Sequence, residues 1–155
     1  MKLSSKEDVD APITEVFEAI SDFASFERSA IRRGIEVQRL GDQTTPELGL
    51  TWDVRVNFRG KARRMQLQLS DYDPATLIGL SGESDGLKGD SQIELLALSP
   101  RRTRIAVSVD VKPKTLSGRL ILQSFKLARS KIDKRFKLRV AEFAKLTEDR
   151  LKSSA

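Results

Sequence analysis

From Trp52 onward, apolar side chains alternate with polar ones: Trp52, Val54, Val56 and Phe58 against Asp53, Arg55, Asn57 and Arg59. A period of two is the mark of a strand with one face buried. The same period recurs in Met65, Leu67 and Leu69, and again in Ile105, Val107, Val109 and Val111. Weaker segments fall at residues 2–9, at Ile35 and Val37, at Leu77 to Leu80, and at Ile93 and Leu95. Turn residues separate them, notably Asp73-Pro74 and the stretch from Gly82 to Gly89, while Asp71 and Tyr72 also read as part of a turn. Short strands at such spacing predict consecutive antiparallel hairpins. One apolar face per strand predicts a sheet covered on a single side.

Two stretches carry the helical period instead. Ile13, Val16, Phe17 and Ile20 stand at i, i+3, i+4 and i+7, behind Pro12 at the expected first helical position and with Glu15 in the first turn. Ser21-Asp22 then breaks the pattern and can cap a second short helix bearing Phe23, Phe26 and Ile31, which stops at Gly34 after Arg32-Arg33. The longer stretch runs from about Ser117 to Arg150, capped by Thr115 or Ser117. Its apolar line passes through Ile121, Phe125, Ala128, Ile132, Phe136, Val140 and Phe143. A helix of that length spans about 50 Å, at ~1.5 Å per residue, more than a small sheet needs. The expected architecture is α+β: about six to seven antiparallel strands curved round a long C-terminal helix, with two short helices after the first strand. No linker or internal repeat divides residues 1–155, so one domain is expected.

Composition narrows the chemistry. There is no cysteine and no histidine, which excludes disulfides, thiolate nucleophiles, imidazole bases and the common zinc sites. A carboxylate-only Ca²⁺ or Mg²⁺ site stays open, but no calcium-loop pattern is present and no cofactor is expected. The first residues lack the apolar core of a signal peptide and no apolar run approaches membrane-spanning length, so a cytoplasmic location is expected. Net charge is +6, but residues 1–116 carry 17 basic and 18 acidic side chains, whereas residues 117–155 carry 11 basic and 4 acidic. The basicity belongs to the C-terminal segment.

The stretch Val9-Asp10-Ala11-Pro12-Ile13-Thr14-Glu15-Val16-Phe17-Glu18-Ala19-Ile20-Ser21-Asp22-Phe23 resembles the opening of START-like (SRPBCC, helix-grip) proteins, the superfamily of polyketide cyclase/dehydrase-like and lipid-transfer proteins. Trp52 in the third strand, after Gly49-Leu50-Thr51, is similar to a second feature of that group. The resemblance implies a cavity between sheet and long helix that takes a lipid, polyketide or other hydrophobic molecule. It covers nearly the whole chain through packing features, not catalytic ones.

On that footing the expected ligand wall is Trp52, Val54, Val56, Phe58, Met65, Leu67 and Val109 on the sheet, facing Phe125, Ile132 and Phe136 on the helix. The same residues equally describe a filled core. Arg129 and Arg139 fall within the helical apolar stripe, where a guanidinium needs a partner. Asp53 or Asp110 would supply it, or Arg129 would meet the acidic head of a ligand. Lys126, Lys131, Lys134, Arg135 and Lys137 form a basic face that is either merely solvated or a surface for an anionic membrane or acidic protein. Leu120, Leu127 and Leu138 fall among them. Nothing resembles a nucleic-acid-binding motif. Catalysis would fall to pocket carboxylates or to Tyr72, as in a cyclase or dehydratase, and no constellation points to it.

Overall fold

A computed structural model describes residues 1–42, 46–58 and 60–153, the Phe58 side chain excepted. Strand β1 (Lys2–Val9) is followed by α1 (Ile13–Ile20) and α2 (Phe23–Arg32). Six strands come next: β2 (Glu36–Leu40), β3 (Thr51–Phe58), β4 (Lys61–Asp73), β5 (Leu77–Ser84), β6 (Leu87–Ser99) and β7 (Arg102–Pro113). Helices α3 (Leu116–Leu127) and α4 (Arg129–Ser153) end the chain. All strand pairs are antiparallel, in the order β1-β7-β6-β5-β4-β3-β2. This is the expected helix-grip α+β architecture.

Register brings the apolar positions onto one face. Trp52 stands opposite Leu67, Val54 opposite Met65, Leu69 opposite Leu80, Ile78 opposite Ile93, and Leu95 opposite Ile105. Such cross-strand pairs are the unit of sheet stabilisation. Irregularities at Leu69/Asp71 in β4 and Ala97/Ser99 in β6 add the extra twist that lets long strands curl. The core gathers Val9, Val16, Ile20, Leu50, Leu69, Ile78 and Ile105, all nearly inaccessible.

The short helices follow local chemistry. Pro12 caps α1 in extended conformation, one place before the expected first helical position. Asp22 caps α2 by accepting from the Ser25 amide at 3.3 Å. At the other end Gly34, φ +84°, closes α2: Gly34 N–H reaches Ile31 O and Ile35 N–H reaches Ala30 O, both at 3.0 Å.

Three expectations are corrected. The Gly82–Gly89 stretch is mostly strand, with its turn confined to Asp85-Gly86, both at positive φ. Residues 71–73 end β4, and the turn begins only at Pro74, with Ala75 at positive φ. The C-terminal helix is broken at Ala128, whose N–H turns back to Phe125 O at 3.0 Å, tightening the last turn of α3. The break lets α3 lie against β7 and β6, and α4 against β1 and α1.

The deepest line of the helix is also displaced. It runs through Gly118, Leu122, Val140, Ala144 and Thr147, with Ile121, Phe125, Ile132, Phe136 and Phe143 half-buried on its flank. Gly118 sits where its backbone meets that of Gly86, and a hydrophobicity pattern does not register it or the buried Ala144 and Thr147.

Candidate functional site

The long helix covers chiefly the β1–β7–β6 end of the sheet, and over the other half the apolar face meets α2. A cavity of ≈ 340 Å³ lies there. Its floor is Trp52, Val54, Leu67, Ile78, Leu80 and Ile93 from β3 to β6, with Val37 of β2 and the preceding Ile35. Phe23, Phe26, Glu27 and Ala30 of α2 form the roof, and Ile20 of α1 and Phe143 of α4 close the sides. The roof positions stand at i, i+3, i+4 and i+7, so one face of α2 looks inward. Phe26 is 41% exposed while lining the cavity, and its ring lies 5.9 Å from that of Phe143, so the two rings meet where α2 and α4 close over it.

Among the described residues Glu27 is the only charged one in this lining. Its Oε1 accepts from Trp52 Nε1 at 2.7 Å and from Arg39 Nε at 2.8 Å, and Arg39 Nη2 stands 2.7 Å away. The Phe23 ring meets Trp52 edge-on, 5.3 Å between centroids. A carboxylate buried to this degree needs such partners. At the start of α2, Asp22 Oδ2 takes Arg150 Nη2 of α4 at 2.6 Å, and that hydrogen bond holds the Asp22 carboxyl below its ordinary pKa. Among the described residues no cluster of acidic or metal-ligating side chains could hold a metal ion.

Of the expected wall, Trp52, Val54 and Leu67 line the cavity, and Met65 packs partly buried beside the core. Val56 and Val109 are half-buried strand residues outside the lining, and the Phe58 side chain lies outside the described residues. Phe125, Ile132 and Phe136 flank the deep line of α3 and α4, also outside it. Arg129, just past the break at Ala128, is exposed and reaches Lys2 O of β1 at 3.5 Å. Arg139 is exposed and pairs with Glu142 on its own helix. The strand carboxylates expected for these arginines are engaged elsewhere, Asp53 with Arg64 and Asp110 with Lys112 and the N-terminal amine. Lys126, Lys131, Lys134, Arg135 and Lys137 are exposed, as are Leu120, Leu127 and Leu138, with Leu127 at 92%. Tyr72 packs on Phe17, 5.6 Å between rings, and does not line the cavity.

Phe23, Phe26, Glu27 and Ala30 do not stand out in the sequence as a set. Their spacing is the signal: a glutamate inside the apolar line of a short helix.

No family model and no curated protein matches this chain. Solved structures do. The Zhui aromatase/cyclase of Streptomyces sp. R1128 superposes with a TM-score of 0.68 at 15% identity, over 100% of this chain and 98% of its own. A START superfamily protein from Mycobacterium smegmatis gives 0.56 at 16% identity, over 86% and 95%. The chain has the START-like fold. Norcoclaurine synthase from Thalictrum flavum, in complex with dopamine and hydroxybenzaldehyde, gives 0.61 at 12% identity, over 90% and 87%. At such identities the START-like likeness concerns the backbone, and no side-chain role transfers with it. No helix among the described residues is long and apolar enough to cross a membrane.

Proposed function

We propose that this START-like chain binds a hydrophobic or amphipathic small molecule in the cavity between α2 and the β3–β6 face of the sheet. The observation that carries the reading is the cavity itself: ≈ 340 Å³ walled by aromatic and aliphatic side chains, with Glu27 as the one charged group among the described lining residues. Concave, mainly apolar sites with few polar groups are the usual form of small-molecule pockets. Burial drives the binding, at about 25 cal/mol per Å² of apolar surface before ordering costs. Trp52, Val54 and Leu67 are the sheet contacts, and Phe23, Phe26 and Phe143 the helical ones. The neighbours' chemistry agrees in kind, one being an aromatase/cyclase and another holding dopamine and hydroxybenzaldehyde. Binding without turnover is the reading, because the described lining holds a single carboxylate and Tyr72 stands outside it.

Native mass spectrometry of the purified protein, followed by denaturing extraction, tests this directly. The expected result is a co-purified apolar mass that Ala30→Phe, which fills the cavity from α2, expels. Trp52, the only tryptophan, supplies a second readout: its emission shifts as apolar probes enter the wild type and not the filled variant. A clean apo mass together with no response to any apolar probe sinks the reading.

A further inference from the structure

The chemistry of the cavity wall constrains the head group of its ligand. Glu27 sits at the position of α2 between Phe26 and Ala30 on the inward face, and its two oxygens are used unequally. Oε1 takes Trp52 Nε1 at 2.7 Å and the Arg39 guanidinium at 2.7–2.8 Å. The hydrogen bonds from described residues all end on Oε1, and Oε2 accepts none of them. An ionised carboxylate accepts and never donates. The indole N–H beside it is already committed to Oε1, and Arg39 lies outside the lining. Among the described residues the lining carries one carboxylate and neither a cation nor an uncommitted donor.

We propose that Glu27 selects ligands carrying a hydrogen-bond donor, a hydroxyl or an amine, at one end of an apolar body, and disfavours those ending in a carboxylate. This rests on the reading of the cavity as a ligand site. A donor head satisfies Oε2, whereas an alkyl or ester head removes water from it and returns nothing, which is the costly case for a polar group. A carboxylate head brings a second acceptor-only anion against Glu27, whose donors Trp52 Nε1 and Arg39 are already engaged, and finds no donor in the described lining to receive it. Sites built to hydrogen-bond a donor reject analogues that lack it more sharply than apolar walls sort by size.

Calorimetric titration of the whole chain with a matched decyl series decides the matter: decanol, decylamine, decanoate and methyl decanoate, near neutral pH. Decanol and decylamine are expected to bind at least about tenfold more tightly than decanoate and methyl decanoate. In Glu27→Gln the amide still accepts from Trp52 but the charge is gone, so the gap between decylamine and decanoate narrows. If all four bind alike, or decanoate binds best, the selection by Glu27 is overturned while the cavity reading stands. If none binds and apolar probes also fail, the cavity reading falls with it. Should Glu27→Gln lose its fold, judged by circular dichroism, the wild-type series alone still decides.

Discussion

The indole nitrogen of Trp52 on β3 donates to Glu27 on α2 across 2.7 Å, and this bond helps fix the roof of the cavity to its floor. Helix α2 has no fully buried residue, so its place over the sheet depends on individual side-chain contacts. Replacing Trp52 by Phe keeps an aromatic ring against Phe23 but removes the donor. The expected loss is about 1.5–3 kcal/mol of stability, the range for a hydrogen bond to a charged group. Urea unfolding followed by circular dichroism measures it, and hydrogen exchange should show the loss concentrated in α2. An unchanged midpoint would mean that Arg39 alone holds Glu27.

The second tie on α2 is sensitive to pH. Arg150 holds the Asp22 carboxyl below its ordinary value of 3.8, mainly through the hydrogen bond at 2.6 Å. A carboxylate whose pKa is depressed by folding contributes stability above its unfolded value, and loses it as pH falls through the depressed one. Both side chains are more than a third exposed, so the pair contributes at most about 1 kcal/mol. Arg150→Met should be less stable than wild type near neutral pH by up to that amount. The difference should begin to shrink as pH falls towards 3.8 and close only below the depressed folded value, where Asp22 is protonated in both. A difference that persists into acid would assign the effect to lost packing of the arginine stem instead.

The parts of this fold that were legible in the sequence are those in which large apolar residues set the period. The strand through Trp52 and Val54, the helix through Val16 and Ile20, and the stop at Gly34 all stand as expected. The cavity was less legible, for two physical reasons. The long helix seats itself by small residues, Gly118, Ala144 and Thr147, so the phenylalanine line that looked central is a flank. That displacement, with the break at Ala128, leaves Arg129 outside the lining. Meanwhile α2 turns four side chains inward, and a glutamate among phenylalanines reads in sequence as a polar position, not as a wall. Its partners, Arg39 and Trp52, lie 12 and 25 residues away, beyond any local pattern.

Gly118 tests whether close approach or helix propensity governs the start of α3. Alanine is the better helix former by about 1 kcal/mol, so propensity alone favours Gly118→Ala. A Cβ there, however, runs into the carbonyl of Gly86, in the turn between β5 and β6. That turn cannot yield easily, because Gly86 sits at φ +76° and its carbonyl accepts Lys114 N–H at 2.7 Å. Backbone against Cβ is overpacking without a flexible partner, so the expected outcome is a net loss of about 1–3 kcal/mol. Thermal unfolding gives the sign at once: a raised midpoint would show that α3 is free to lift from the hairpin.

Gly82 on β5 offers the opposite case, in which a substitution away from the ligand should alter binding more than stability. Gly82 pairs with Leu67 of β4, and an added Cβ would stand 2.6 Å from Leu67 Cδ2. That atom ends a flexible side chain and yields by rotation. Because Leu67 lines the cavity, its movement takes up space meant for the ligand. The other close atom, Gln66 O at 3.3 Å, needs only a small adjustment. Gly82→Ala is therefore expected to keep stability within about 1 kcal/mol of wild type, while binding of decanol weakens by roughly three- to tenfold and shorter alcohols are affected less. Calorimetric titration across a series of chain lengths reads this out. Equal weakening at every length would place the effect on α2 and its hydrogen bonds, whereas a penalty growing with length identifies Leu67 as the wall that sets the size of the ligand.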